Sequence, residues 1–218
     1  MEKKKNDFIA QGSILAIASI LVRVMGMIYR IPMTAIIGDK GNGFYSYAYS
    51  VYTILLLLSS YSLPLAVSKM VSAKAQLGQW RNVKRVFICA IAFAIGIGTT
   101  FGLIVLIGAQ FFTRVFFHSE LAAIALRFMA PTILIMALLG VFRGFFQGLQ
   151  NTLPTAVSQI VEGLINAIMS VVFAYFLFDF GHGMDAAGGT TDLGYAWGAA
   201  GGAIGTGAGA LAGLIFCF

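Results

Sequence analysis

Charge is scarce in this sequence, and negative charge inside its hydrophobic runs is scarcer still. Charged residues make up 10% of the 218, against about 25% in soluble domains, while 59% are hydrophobic and the mean hydropathy is +0.90. A water-soluble globular protein is excluded. Glu162 is the one carboxylate inside any hydrophobic run. A membrane transferase needs an acidic or histidine constellation at the interface, so an enzyme is not expected. The two histidines, His118 and His182, fall in breaks between runs without clustered partners, and no metal or cofactor is implied. Cys89 and Cys217 are isolated and read as reduced, apolar-packed thiols.

What is present is length in apolar runs. A bilayer core takes about 20 residues per helix at about 1.5 Å rise. Six runs meet that length: residues 12–37, 45–73, 86–112, 123–149, 154–178 and 195–218. The expected fold is therefore an all-α polytopic membrane protein with six transmembrane helices, preceded by a tail over residues 1–11. No cleavable signal sequence is evident, because the basic start runs into a span too long for one. The chain stops at Leu214–Phe218 with no polar tail, which reads as a C-terminal truncation.

The net charge of +6 is distributed as topology and not as a nucleic-acid footprint. Lys3, Lys4 and Lys5 precede the first run, and Lys74, Arg81, Lys84 and Arg85 separate the second from the third. The break between the fifth and sixth holds Asp179, Asp185 and Asp192 and no Lys or Arg. The positive-inside rule then places the N-terminus in the cytoplasm of a multi-pass plasma-membrane protein. The same basic residues suit anionic membrane lipids. Trp80 and Val83 among them point to a short interfacial helix or a charged loop. The glycine-rich stretch 179–194 reads as an external loop.

Three arginines and one glutamate carry the chemistry. A charge at bilayer depth costs about 2.5–3.5 kcal/mol on insertion scales, so each needs a partner or a polar cavity. Arg23 and Arg30 are seven residues apart and project within about 20° of each other on one helix. Arg143 and Glu162 lie on either side of the turn near Gln150–Leu153, at matched depths of about 13–15 Å, so pairing is expected. A surplus of positive charge selects anions, and the planar guanidinium fork suits phosphate oxygens. Pro32 and Pro64 are candidate helix kinks, whereas Pro154 fits the first turn of a helix. Gly198, Gly201, Gly205, Gly209 and Gly213 form a small-residue stripe, read as close helix packing. Gly98 and Gly102, with Gly96 nearby, make a weaker one.

The stretch from Arg143-Gly-Phe-Phe-Gln-Gly through Pro154 to Glu162 resembles the helix 4–5 hairpin of the polysaccharide-export and lipid-flippase branch of the MOP superfamily, closest to its stage V sporulation protein B-like members. Arg23-Val-Met-Gly-Met-Ile-Tyr-Arg-Ile-Pro32, Gly38-Asp-Lys-Gly-Asn-Gly-Phe-Tyr45 and Pro64-Leu-Ala-Val-Ser-Lys69 agree in order and position. The resemblance covers the N-terminal lobe of a MATE/MOP-type transporter. It implies flipping of an undecaprenyl-diphosphate-linked saccharide, such as lipid II or a polysaccharide precursor, for cell-wall, spore-cortex or surface polysaccharide synthesis. Arg23, Arg30 and Arg143 would meet the anionic headgroup, and Glu162 would act as charge partner or in coupling. Gly163 and Asn166 stand where such relatives often carry Gln and Arg. A second lobe, or self-association, would complete the cavity. The alternatives are a cation-coupled multidrug exporter of the same superfamily, which tends to need a carboxylate on its first helix, and a non-transporting morphogenetic membrane protein.

Overall fold

The computed structural model describes residues 2–188 and 192–218, with side chains for 12–186 and 192–218. The side chains of Lys3, Lys4 and Lys5 in the expected tail lie outside the described residues. Those residues are helical throughout apart from short turns, and they contain no strand. The helices are α1 (Glu2–Ser60), α2 (Leu63–Gln76), α3 (Trp80–Phe117), α4 (Ala122–Gly148), α5 (Leu153–Gly188) and α6 (Leu193–Cys217). The chain is an all-α polytopic membrane protein.

Among the described residues, five apolar helical stretches are long enough to cross a bilayer, and the first, Gly12–Gln76, runs for 65 residues. At about 1.5 Å per residue a straight helix of that length would be on the order of 100 Å, three times a bilayer core of about 30 Å. It is not straight. Gly38 leaves helical geometry at φ 62° and ψ −177°, a region open to glycine and strained for other residues. The bend folds α1 back on itself. A Cβ built on Gly202 of α6 would lie 2.6 Å from Met33 and 3.2 Å from Tyr45, two residues that an unbroken helix would hold about 18 Å apart. The five stretches are one fewer than the six expected runs, because the first and second runs lie on one stretch that is bent at Gly38.

The element boundaries differ from that reading at three places. The second run is not continuous: α1 ends at Ser60, and α2 starts at Leu63 with Pro64 in its first turn. The basic segment 74–85 forms neither a separate helix nor a loop. It is the end of α2, a tight turn with Gly78 at φ 66°, and the start of α3. The fifth helix runs on to Gly188, through much of the stretch expected to be an external loop.

Apolar side chains face lipid as readily as they face each other, so burial does not drive helices together in a bilayer. Close van der Waals contact and hydrogen bonds do. The stripe on α6 supplies that contact. Its Gly201 and Gly205 press directly on the backbones of Phe173 and Ser170 in α5, and a Cβ on Gly209 would lie 2.6 Å from the Glu162 carbonyl oxygen. A stripe not anticipated from sequence, Gly140, Gly144 and Gly148 on α4, seats α2. A Cβ on Gly144 would sit 2.8 Å from the Pro64 Cα, and one on Gly148 would sit 2.7 Å from Val71. Of the three glycines expected on α3, Gly98 and Gly102 pack on α4, while Gly96 faces open space. Helices α4 and α6 form the centre, with Leu126, Met129, Ile133, Ala199 and Ala203 fully buried.

At the end of α6, the buried Asp185 carboxylate accepts hydrogen bonds from the backbone N–H groups of Leu193 at 3.1 Å and Gly194 at 2.9 Å. A carboxylate on the unsatisfied donors of a helix N-terminus is the favoured arrangement. Asp185→Ala removes it, and an unfolding titration in detergent is expected to show a loss of about 1–2 kcal/mol.

Candidate functional site

The first arm of α1 packs on α5 through Val22 and Met25, and its Ser19 hydrogen-bonds Gln159. Gly163 is the point of closest approach, where a Cβ would meet Val22 at 3.1 Å and Met25 at 3.2 Å. Arg23 and Arg30 stand beside these half-buried contacts, both exposed. Neither has an ion-pair or hydrogen-bond partner among the described residues. Gly26 lies between them, and a Cβ there would meet nothing within 4 Å. The result is an open strip with a guanidinium at each end and no carboxylate on it.

The second constellation is closed. Arg143 Nη2 donates to Glu162 Oε2 at 2.7 Å, and Arg143 Nε donates to Ser158 Oγ at 2.9 Å. Ser158 Oγ donates in turn to the Thr155 carbonyl at 2.8 Å, and Thr155 Oγ1 donates to the Arg143 carbonyl at 3.4 Å. Ser158 and Thr155 are fully buried, and the charged side chains are 12% and 23% exposed. The geometry follows from the turn. Helix α4 ends at Gly148 and α5 starts at Leu153, with Gln150 in the left-handed region at φ 61°. Arg143 stands five residues before the end of α4 and Glu162 nine after the start of α5, close enough in level for the long arginine side chain to reach. A hydrogen-bonded ion pair of this kind spares both charges most of the penalty of leaving water.

Beside Arg143 lies a cavity of about 240 Å³, bounded by the second arm of α1, the start of α2, α4 and α5. Its polar lining comes from Ser60, Tyr61, Arg143, Gln147 and Gln159. Gln159 also ties this cavity to the first arm, because its Oε1 accepts a hydrogen bond from Ser19 Oγ at 3.3 Å. Ser19 is one helical turn from Arg23 on the same face.

Set beside known proteins, the chain matches the profile of the family described as "Polysaccharide biosynthesis protein" over residues 8–218. The chain belongs to the polysaccharide biosynthesis protein family. Within it, the chain is 27% identical over 163 residues to the lipid II flippase MurJ of Bacillus subtilis (strain 168), covering 71% of this chain and 30% of that protein. It is 26% identical over 184 residues to stage V sporulation protein B of the same organism, covering 84% and 36%. The chain thus spans about a third of the length of these curated relatives. No solved structure matches it.

The site of this polysaccharide biosynthesis family member differs in part from what the spacing of its residues implies. Pro32 lies inside α1, but the break in dihedral angles falls at Gly38, six residues on. Pro64 occupies the first turn of α2, where its missing N–H is no loss. Arg143 is taken up by Glu162 and Ser158, unlike Arg23 and Arg30. Gln147, Gln159, Ser60 and Tyr61 were not singled out by sequence. They come from three helices and the turn between α1 and α2, without a regular spacing, so only a cavity could reveal them. Among the described residues, no three His, Cys, Asp or Glu side chains converge as a metal site would require.

Proposed function

We propose that this chain forms the N-terminal lobe of a flippase for saccharides carried on a polyprenyl diphosphate such as undecaprenyl diphosphate, and that Arg23 and Arg30 meet the diphosphate. The observation that carries this reading is the contrast between the two arginine sites. The carboxylate inside the spans is spent on Arg143, which leaves the strip of α1 with two guanidiniums and no counter-charge. Unpaired charge at that depth is stabilised when an anion arrives, and two guanidiniums offer paired N–H donors to the oxygens of a diphosphate. The name of one relative, a lipid II flippase, favours the same substrate class.

The role is transport and not catalysis. The strip lies on the surface of this lobe, so a further lobe or a second copy covers it to make an enclosed path, which opens alternately to each side. The N-terminus lies in the cytoplasm, with the basic turn between α2 and α3 on that side and Asp185 and Asp192 outside. A cation-coupled exporter fits less well, because Glu162 is already bound and the apolar run 12–37 of α1 has no acid.

Arg23→Ala is expected to lower flipping of a lipid-linked saccharide at least tenfold in proteoliposomes prepared from the full protein, read as exposure of the headgroup to an external probe. Arg23→Lys retains part of the activity, since ammonium keeps the charge and loses the fork. Full complementation of a deletion strain by the Arg23→Ala, Arg30→Ala double variant would refute the reading.

A further inference from the structure

The cavity beside Arg143 has no part in holding a diphosphate, since its one cation is already neutralised by Glu162. Its remaining chemistry is of a different kind. Gln147 makes no side-chain hydrogen bond among the described residues, and neither does Tyr61, which stands at the rim 77% exposed. Gln159 uses its oxygen as acceptor for Ser19 and keeps its amide N–H groups. Arg143 has N–H donors left over after Glu162 and Ser158 are served. The polar groups that remain are neutral amides and hydroxyls beside an aromatic ring, set among the apolar Leu56, Pro64, Met136 and Leu139, and such a mixed lining suits the hydroxyls and C–H faces of a sugar. The amides match hydroxyl and N-acyl groups in donors and acceptors, and the ring covers the C–H face of a pyranose.

Size and position point the same way. At about 30 Å³ per water, 240 Å³ is the room of about eight waters. That is below the usual range of about 300–1,000 Å³ for drug-sized ligands and suits one ring better than a chain. The Ser19–Gln159 hydrogen bond places the cavity one helical turn from Arg23. A sugar joined directly to a diphosphate is separated from it by a single glycosidic oxygen, so the two would be held side by side.

We infer that this cavity is a glycosyl subsite, in which Gln147, Gln159 and Tyr61 hold the first sugar ring of the substrate while Arg23 holds the diphosphate next to it. It rests on the flippase reading and extends it. The subsite makes the protein discriminate a glycosylated lipid diphosphate from the bare one, which the arginines alone do not. Binding is measured on the full protein with two probes, undecaprenyl diphosphate and the same lipid bearing one N-acetylhexosamine. The wild type binds the sugar-bearing lipid about tenfold more tightly, the scale of one to two net hydrogen bonds. Gln147→Ala and, less fully, Tyr61→Ala remove that preference and leave affinity for the bare lipid unchanged. Arg23→Ala weakens both probes and keeps the preference. Equal affinity of the wild type for the two probes overturns the subsite, as does an undiminished preference in both variants or an equal weakening toward both probes in both. If Arg23→Ala leaves the bare lipid bound as before, the diphosphate reading falls instead, and the Gln147 and Tyr61 comparison still decides the subsite.

Discussion

Glu162→Ala is expected to destabilise the helical lobe by about 3 kcal/mol, the largest loss from any single charge in the chain. Removing one partner of a buried ion pair costs about 3–5 kcal/mol, mainly because the other charge stays behind unpaired. Arg143 would keep Ser158 at 2.9 Å and could turn toward the polar cavity beside it, which places the loss at the lower end of that range. Arg143→Ala leaves the Glu162 carboxylate, 23% exposed, without its partner, and the loss is of similar size. Exchanging the two, Arg143→Glu with Glu162→Arg, restores part of the stability because their levels in the bilayer match. Unfolding in mixed micelles checks all three. Losses in the single variants with no recovery in the exchanged pair would show that Ser158 and Thr155, and not the charge pair, hold the hairpin.

Gly205→Val is the second large effect, expected to cost on the order of 3 kcal/mol or to prevent folding, as overpacking does at the upper end of its range. A Cβ at Gly205 falls on the backbone and hydroxyl of Ser170, and backbone cannot swing aside as a flexible side chain can. Ser170 Oγ also donates to the Gly202 carbonyl at 3.2 Å, so separating α5 from α6 breaks a polar contact as well. The control is Gly96→Val on α3, where a Cβ meets nothing within 4 Å; it leaves thermal stability nearly unchanged. Comparable losses at Gly205 and Gly96 would show that helix propensity, and not close packing, explains the glycines.

Both predictions concern features that periodicity and spacing already marked. A stripe at three- and four-residue intervals declares itself in any apolar run, and the depth of a charge is a count from the nearest turn. These properties are local: a helix converts sequence separation directly into height and angle. The family resemblance was legible for the same reason, since its motifs are short and contiguous. The partner of the α6 stripe was not legible, and neither was the partner of the glycine stripe at four-residue intervals on α4, which receives Pro64. An apolar helix presents no polar face by which to orient it, so nothing in α4 alone shows which side meets α2.

The two prolines show the limit most plainly. Pro32 and Pro64 are both chemically able to kink a helix; Pro64 follows the break of the second run at residues 61–62, whereas Pro32 sits within α1 and Gly38 makes the bend there. Whether a proline kinks a helix depends on where neighbouring elements force the chain to turn. A glycine at φ 62° reveals itself only once the turn exists.

The sequence by itself determined that this chain is a polytopic helical membrane protein, that its depth charges are mostly positive, and that Arg143 and Glu162 stand level. Composition, length and helical geometry suffice for each of these. Tertiary structure alone decided which arginines are left without a partner, where α1 doubles back, and that Gln147, Gln159 and Tyr61 share one cavity. Those outcomes depend on contacts between helices distant in sequence, and the packing that sets them leaves no repeat along the chain.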